Sequence, residues 1–309
     1  MSEDKTSRFA HKEESGVESG EKVGRQKGYK ASHSNCIFCG KYGELTREHK
    51  YAEWMEGPLP LEPGYINHKH KTTWFPNHLT EGPGDSYVRT KTVSGHPGSS
   101  KLRVVCAQCN NNWMSVLQKR SKGLITEALL GGWPDFGSNI RLIAEWALMT
   151  TMVFEFDHPL TVDFTAEERK AFKENRAIPS TVAIWIGLAP QAIPSRSKAH
   201  RSYVTEVGKF QATTIHLGMF LIQVVSLPEL DPYTVAAKGY RWGMRTVWPY
   251  AHPLLLSTKP PLQPALLIDK HQQRLTDFMV EYMGEGIREI IPIGEGLPYV
   301  PAGQAMPGF

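Results

Sequence analysis

The stretch "CIFCGKYGELTREHKYAEWM", residues 36–55, opens with two cysteines two residues apart and a glycine after the second. That is the spacing of a metal knuckle. An acid–histidine pair, Glu48-His49, follows nine residues after Cys39. A matching half lies at 104–118, "VVCAQCNNNWMSVLQ", where Cys106 and Cys109 repeat the spacing and Asn110 comes directly after the last cysteine. The chain has four cysteines and all of them fall in these two pairs. None is left for a disulfide or for thiol catalysis. Four thiolates close a tetrahedral zinc site completely, so the ion they bind is structural. Such a clip ties Glu48-His49 to the segment beginning near Asn110, although 60 residues lie between His49 and Asn110.

Working outward, the 309 residues suffice for two domains, and 40% hydrophobic content suffices for a core. The start, "MSEDKTSRFAHKEESG", is charged and lacks an apolar stretch, unlike a secretory signal. No run of eighteen apolar residues occurs, so a cytoplasmic, membrane-free protein is expected. Residues 36–125 carry 12 Lys and Arg against 7 Asp and Glu, whereas residues 126–309 carry 16 against 18. The positive charge sits with the cysteines, which favours a polyanion as partner.

Residues 1–34 are polar and nearly free of aliphatic side chains, so a disordered tail is expected there. Residues 35–132 form the expected first domain. Within it "KLRVVC" (101–106) reads as a strand, and the segment from Asn110 to the Gly131-Gly132 stop reads as a helix. A Pro-, Gly- and His-rich insert occupies 58–100. Residues 138–284 form the expected second domain, of α+β type. "NIRLIAEWALMTTMVFEF" is apolar around its circumference and predicts a buried helix. Thr165 and Glu168 predict a capping box and a helix behind it. "TVAIWIGLA", "ATTIHLGMFLIQVVSL" and "MRTVWPY" predict strands, and "KHQQRLTDFMVEYM" a late helix. Residues 285–309 read as a Pro/Gly-rich tail.

Two C-x-x-C knuckles, an acid–histidine pair after the first, a strand into the second, and Asn directly after the last cysteine resemble the zinc-knuckle branch of the HNH, or ββα-metal, endonucleases. The resemblance covers about residues 36–120. It implies an N-terminal zinc-bound treble-clef ββα-metal domain followed by a separate α+β domain. It implies a metal-dependent endonuclease that hydrolyses DNA phosphodiester bonds, on plain, branched or RNA substrates, as a monomer or a homodimer. It makes His49 the general base, and Glu48 and Asn110 the holders of a catalytic Mg²⁺ or Mn²⁺ beside the structural Zn²⁺. Candidate phosphate contacts are Arg47, Lys50, Lys101, Arg103, Lys119 and Arg120. The chemistry agrees: hydrolysis of a phosphodiester needs a base to activate water and a cation to neutralise the phosphate oxygens.

Plainer readings stand beside these. "TREHKYAEWM" also reads as a Thr-capped helix, with Glu48 as a first-turn acid and His49 exposed on it. Asn110 also reads as a helix N-cap, and Asn111 and Asn112 compete for either role. His68, His70 and His78 in the insert are site candidates or solvated loop residues, and Trp113, Trp146, Trp185 and Trp248 read as core. The alternative function is a non-catalytic zinc finger that binds nucleic acid or protein.

Overall fold

A computed structural model describes residues 33–60, 67–74, 87–94, 100–157, 162–190, 196–205, 208–227, 244–249, 256–261 and 288–290. The expected late helix and C-terminal tail lie outside the described residues, apart from a short strand at Arg288–Ile290. The polar tail lies outside them up to residue 32. The class is mixed α+β, as expected.

The first sheet has the order β1-β2-β5, built from β1 (His33–Asn35), β2 (Tyr42–His49) and β5 (Lys101–Cys106). β2 and β5 are antiparallel, with Leu45 opposite Cys106 and His49 opposite Lys101. The insert between them contains an antiparallel two-stranded ribbon, β3 (Asn67–Trp74) and β4 (Tyr87–Ser94). Past Cys106 the chain turns helical through α1 (Ala107–Cys109), a π-helical turn (Asn110–Met114) and α2 (Ser115–Leu129). The helix therefore starts one turn earlier than expected, with Cys106 at its N-cap. At its far end Gly131 sits at φ +83, where only glycine avoids strain, and ends it as the Gly-Gly signal foretold.

The second sheet has the order β10-β6-β9-β8-β7-β11. Its strands are β6 (Val182–Leu188), β7 (Arg196–Thr205), β8 (Gly208–Leu217), β9 (Phe220–Ser226), β10 (Arg245–Trp248) and β11 (Arg288–Ile290). "ATTIHLGMFLIQVVSL" resolves into two strands, because Gly218-Met219 turns β8 back into β9. Every residue of β6 is buried, hence its unbroken apolar run. β7 went unforeseen. Its Arg196, Lys198 and His200 pair across with Leu217, Ile215 and Thr213, so polar residues share the face that carries the core.

Helix α3 (Ile140–Phe154) is buried all round from Leu142 onward, as its composition required. It packs against α2 and against β9 and β10. Phe136 stacks on Phe220 at 5.7 Å, tying the turn before α3 to β9. Helix α4 (Ala166–Asn175) carries the full capping box: Thr165 accepts from the Glu168 N–H, and the Glu168 carboxylate accepts from the Thr165 N–H.

Residues Ser32–Phe309 form one compact unit, and one core cluster runs from Cys36 and Phe38 through Trp146 to Val224 and Leu256. The core cluster draws residues from both sides of 132–138. Polar bonds cross it as well. Gln118 on α2 accepts from Trp54 Nε1 at 3.3 Å and from Trp146 Nε1 on α3 at 3.0 Å. Arg169 on α4 donates from Nε to the Ile37 carbonyl, inside the first knuckle, at 3.0 Å. Trp113 and Trp146 sit in or against the core, and Trp185 and Trp248 are buried or half-buried.

Candidate functional site

The first knuckle is a tight turn. The Gly40 N–H donates to the Cys36 carbonyl at 2.9 Å, and the Cys36 N–H to the Lys41 carbonyl at 3.0 Å. Gly40 has φ +68, which a side chain would strain. The Ile37 N–H donates to Val104 O at 3.0 Å, which fixes the knuckle to β5 just before the second pair. The sulfurs of Cys36, Cys39, Cys106 and Cys109 consequently lie within 4.8 Å of one another, with Cys39 and Cys106 at 3.7 Å. A disulfide needs about 2.0 Å between sulfurs, whereas tetrahedral zinc with 2.3 Å bonds separates them by about 3.8 Å. Four soft donors at this spacing fit zinc, and all four can hold it. Cys36 and Cys109 titrate as one unit: the hydrogen bond from Cys109 holds Cys36 at about 4, and Cys109 is pushed up in turn.

Glu48 and His49 end strand β2 rather than opening a helix. The Thr-capped helix reading and its first-turn acid are therefore corrected. β5 supplies cross-strand partners for Leu45, Thr46, Glu48 and His49, and strand pairing wins over a local cap. The register shifts between Thr46 and Glu48: β5 advances three positions, from Val105 to Leu102, where β2 advances two. Such an irregularity re-aims the side chains around it.

Asn110 lies inside the helix, with φ −63 and ψ −53, so the N-cap reading is also corrected. It is the first residue of the π-helical turn, a local widening often found at functional sites. Its amide donates to Thr46 Oγ1 at 3.2 Å, two residues before Glu48, and opposes the rise of the Glu48 carboxyl. Thr46 Oγ1 in turn donates to Val105 O at 2.9 Å. Asn111 and Asn112 are exposed and outside this network, whereas Asn110 is half-buried. Of the three asparagines the structure brings Asn110 to Glu48.

The electrostatics are those of a partly desolvated pair. Burial pushes the Glu48 carboxyl up to about 7 against the opposing pull of Asn110 and Lys101. Burial and the neighbouring Lys101 ammonium lower His49, against Glu53 and Glu56 of the 3-10 turn that follows β2.

The expected phosphate contacts divide. Lys101, opposite His49, is exposed, as are Lys119 and Arg120 on α2 and Arg47 at the register shift. Arg103 is half-buried on β5. Lys50 is a correction: it is buried and ion-paired to Asp157, which is ion-paired to Lys198 of β7 as well. Its ammonium is engaged inside the protein by a carboxylate that it shares with Lys198. Burial pushes Asp157 up, yet the ammonium groups of Lys198 and Lys50 outweigh it and hold the carboxyl at about 2. Sequence reasoning missed this residue, because Lys50, Asp157 and Lys198 come from three distant segments. His68 and His70 lie on β3, and His78 lies outside the described residues.

Among the described residues no helix is long and apolar enough to cross a membrane. Comparison with known proteins returned no match: no family model, no curated protein and no solved structure matches the chain.

Proposed function

We propose that the chain is a metal-dependent endonuclease of HNH type that hydrolyses DNA. One observation carries this reading. Asn110 donates to Thr46, two residues before Glu48 and three before His49, so the four-cysteine clip and the β2–β5 pair bring together two segments far apart in sequence. A clip that only stabilised the fold would have no need of a half-desolvated carboxyl, a histidine and an amide at its apex. In this proposal the clip, the two strands and the following helix make a treble-clef ββα-metal unit.

Glu48 and Asn110 offer hard oxygen donors, the kind that Mg²⁺ or Mn²⁺ takes in small number. Once bound, that ion would supply positive charge against the phosphate oxygens. His49 takes the proton from the attacking water. Lys101, set opposite His49 in the strand pair, holds the scissile phosphate in place. Arg47, Lys119 and Arg120 position the backbone on either side, a role that gives affinity without sequence preference. Thr46 fixes the Asn110 amide, so the second ligand arrives already oriented.

A second reading has its own support. The Asn110 amide donates to Thr46 Oγ1, which in turn donates to Val105 O, and that is also how a polar cluster braces a purely structural turn. The protein would then be a zinc-clipped binding module. Supercoiled plasmid with added Mg²⁺ or Mn²⁺ separates the two. The nuclease reading expects cleavage that Glu48→Gln and Asn110→Ala each reduce at least a hundredfold with zinc content unchanged. The module reading expects no cleavage by any of the three proteins.

A further inference from the structure

The insert between β2 and β5 leaves the first sheet after His49 and returns at Lys101, and these two residues are cross-strand partners. Whatever the insert forms is therefore tethered at both ends to the candidate site. It forms a ribbon of eight paired positions, from Asn67 opposite Ser94 to Trp74 opposite Tyr87. The two strands, NHKHKTTW and YVRTKTVS, contain no Asp or Glu, four Lys and Arg, and two His. Five of the seven acidic residues in 36–125 lie in this same insert, yet all five fall outside the ribbon strands.

The register distributes the cations. Lys69 lies opposite Thr92 and Lys71 opposite Thr90, so these two share one face. Arg89 lies opposite Thr72 and Lys91 opposite His70, which places them together on the other face. A ribbon resting on a flat anionic surface needs its cations on one face. Two on each face suits an element with negative charge on both sides. The major groove of B-form DNA has that arrangement: two phosphate walls about 12 Å apart, wide enough for a two-stranded ribbon. The major groove of A-form RNA is too narrow for side chains to read.

We propose that the β3–β4 ribbon docks in the major groove of duplex DNA, with Lys69 and Lys71 serving one phosphate wall and Arg89 and Lys91 the other. This rests on the reading of DNA as substrate, and it identifies the element that presents the duplex to His49. It asks nothing of catalysis.

The test is binding of the zinc-loaded, full-length protein in the His49→Ala background to a fluorescent DNA duplex, without added Mg²⁺ or Mn²⁺, over a range of salt. The variants are K69Q/K71Q, R89Q/K91Q and, as a charge-matched control on α4, K170Q/K173Q. Each ribbon pair is expected to weaken binding about tenfold and to flatten the slope of log affinity against log salt by about 1.8, two phosphate contacts' worth. The control is expected to leave both unchanged. An RNA duplex of the same sequence is expected to bind weakly and to lose little in either variant. If either ribbon pair binds like the parent, or if the RNA duplex binds as tightly with the same losses, the proposal is overturned. A nuclease that cuts while its ribbon variants bind normally would sink the ribbon alone. Intact ribbon-dependent binding by a wild type that cuts nothing would sink only the nuclease.

Discussion

Asp157 shows what single residues do here that the sequence does not announce. It sits buried between Lys50, the residue after His49, and Lys198 of the second sheet. The pairs hold its carboxyl at about 2, below the value near 3.9 of an unfolded chain. Its contribution is therefore complete above about pH 4 and is lost as pH falls from about 4 to about 2. The difference of roughly 2 units amounts to about 2–3 kcal/mol. Urea unfolding should show Asp157→Asn less stable than wild type by that amount at pH 7, with the gap closing at pH 2. A constant gap across that range would refute the assignment. The cysteines make a sharper claim. The purified protein should carry one zinc per chain, and Cys109→Ser should lower zinc retention and thermal stability together. A stable, folded Cys109→Ser protein without metal would argue against a structural ion. Both knuckles were legible in the sequence, because the C-x-x-C spacing is local. The Glu48–Asn110 contact was legible only through the resemblance. The engagement of Lys50 was not legible at all, because it depends on where β7 lies.

Elements were read where hydrophobic pattern and burial agree. Helix α3 is buried on all sides, and its sequence is apolar on all sides. α4 begins where its capping box says, and Thr165→Ala should cost about 1 kcal/mol in a denaturant titration. No loss would mean that tertiary contacts alone define the start of α4. Strand β7 escaped because its pattern is inverted. Arg196 reaches inward to donate to the Met55 carbonyl at 2.9 Å, and Lys198 to Asp157, so charged residues occupy positions where the pattern expects apolar ones. The region around His49 was ambiguous for a different reason. A Thr-to-Glu cap signature and a strand edge use the same residues, and only the distant partner β5 decides between them. The ribbon was hidden by its Pro- and Gly-rich flanks, which read as loop.

At the scale of the whole molecule, the four-cysteine segment and the second sheet share a core, and their connections are specific. Gln118 joins Trp54 to Trp146, Arg169 reaches the first knuckle, and Trp113 packs edge-on against Phe38 at 4.9 Å and Phe172 at 5.9 Å. The contacts that join residues on either side of 132–138 were not legible in the sequence, since each side alone has enough apolar content for a core. Unfolding should accordingly be a single transition, with zinc release and near-ultraviolet circular dichroism coinciding. Two separated transitions would show that the knuckle segment folds independently.

The chemistry proposed for His49 can be tested on one gel. Zinc-loaded wild type and His49→Ala, matched for zinc content, would be incubated with supercoiled plasmid and Mg²⁺ or Mn²⁺, beside a sample without added divalent ion. The account predicts metal-dependent nicking or linearisation by the wild type and a loss of at least a hundredfold in His49→Ala. Cleavage at equal rates by both proteins would remove His49 from the mechanism. No cleavage by the zinc-loaded wild type on plasmid, branched DNA or single strands would contradict the nuclease outright.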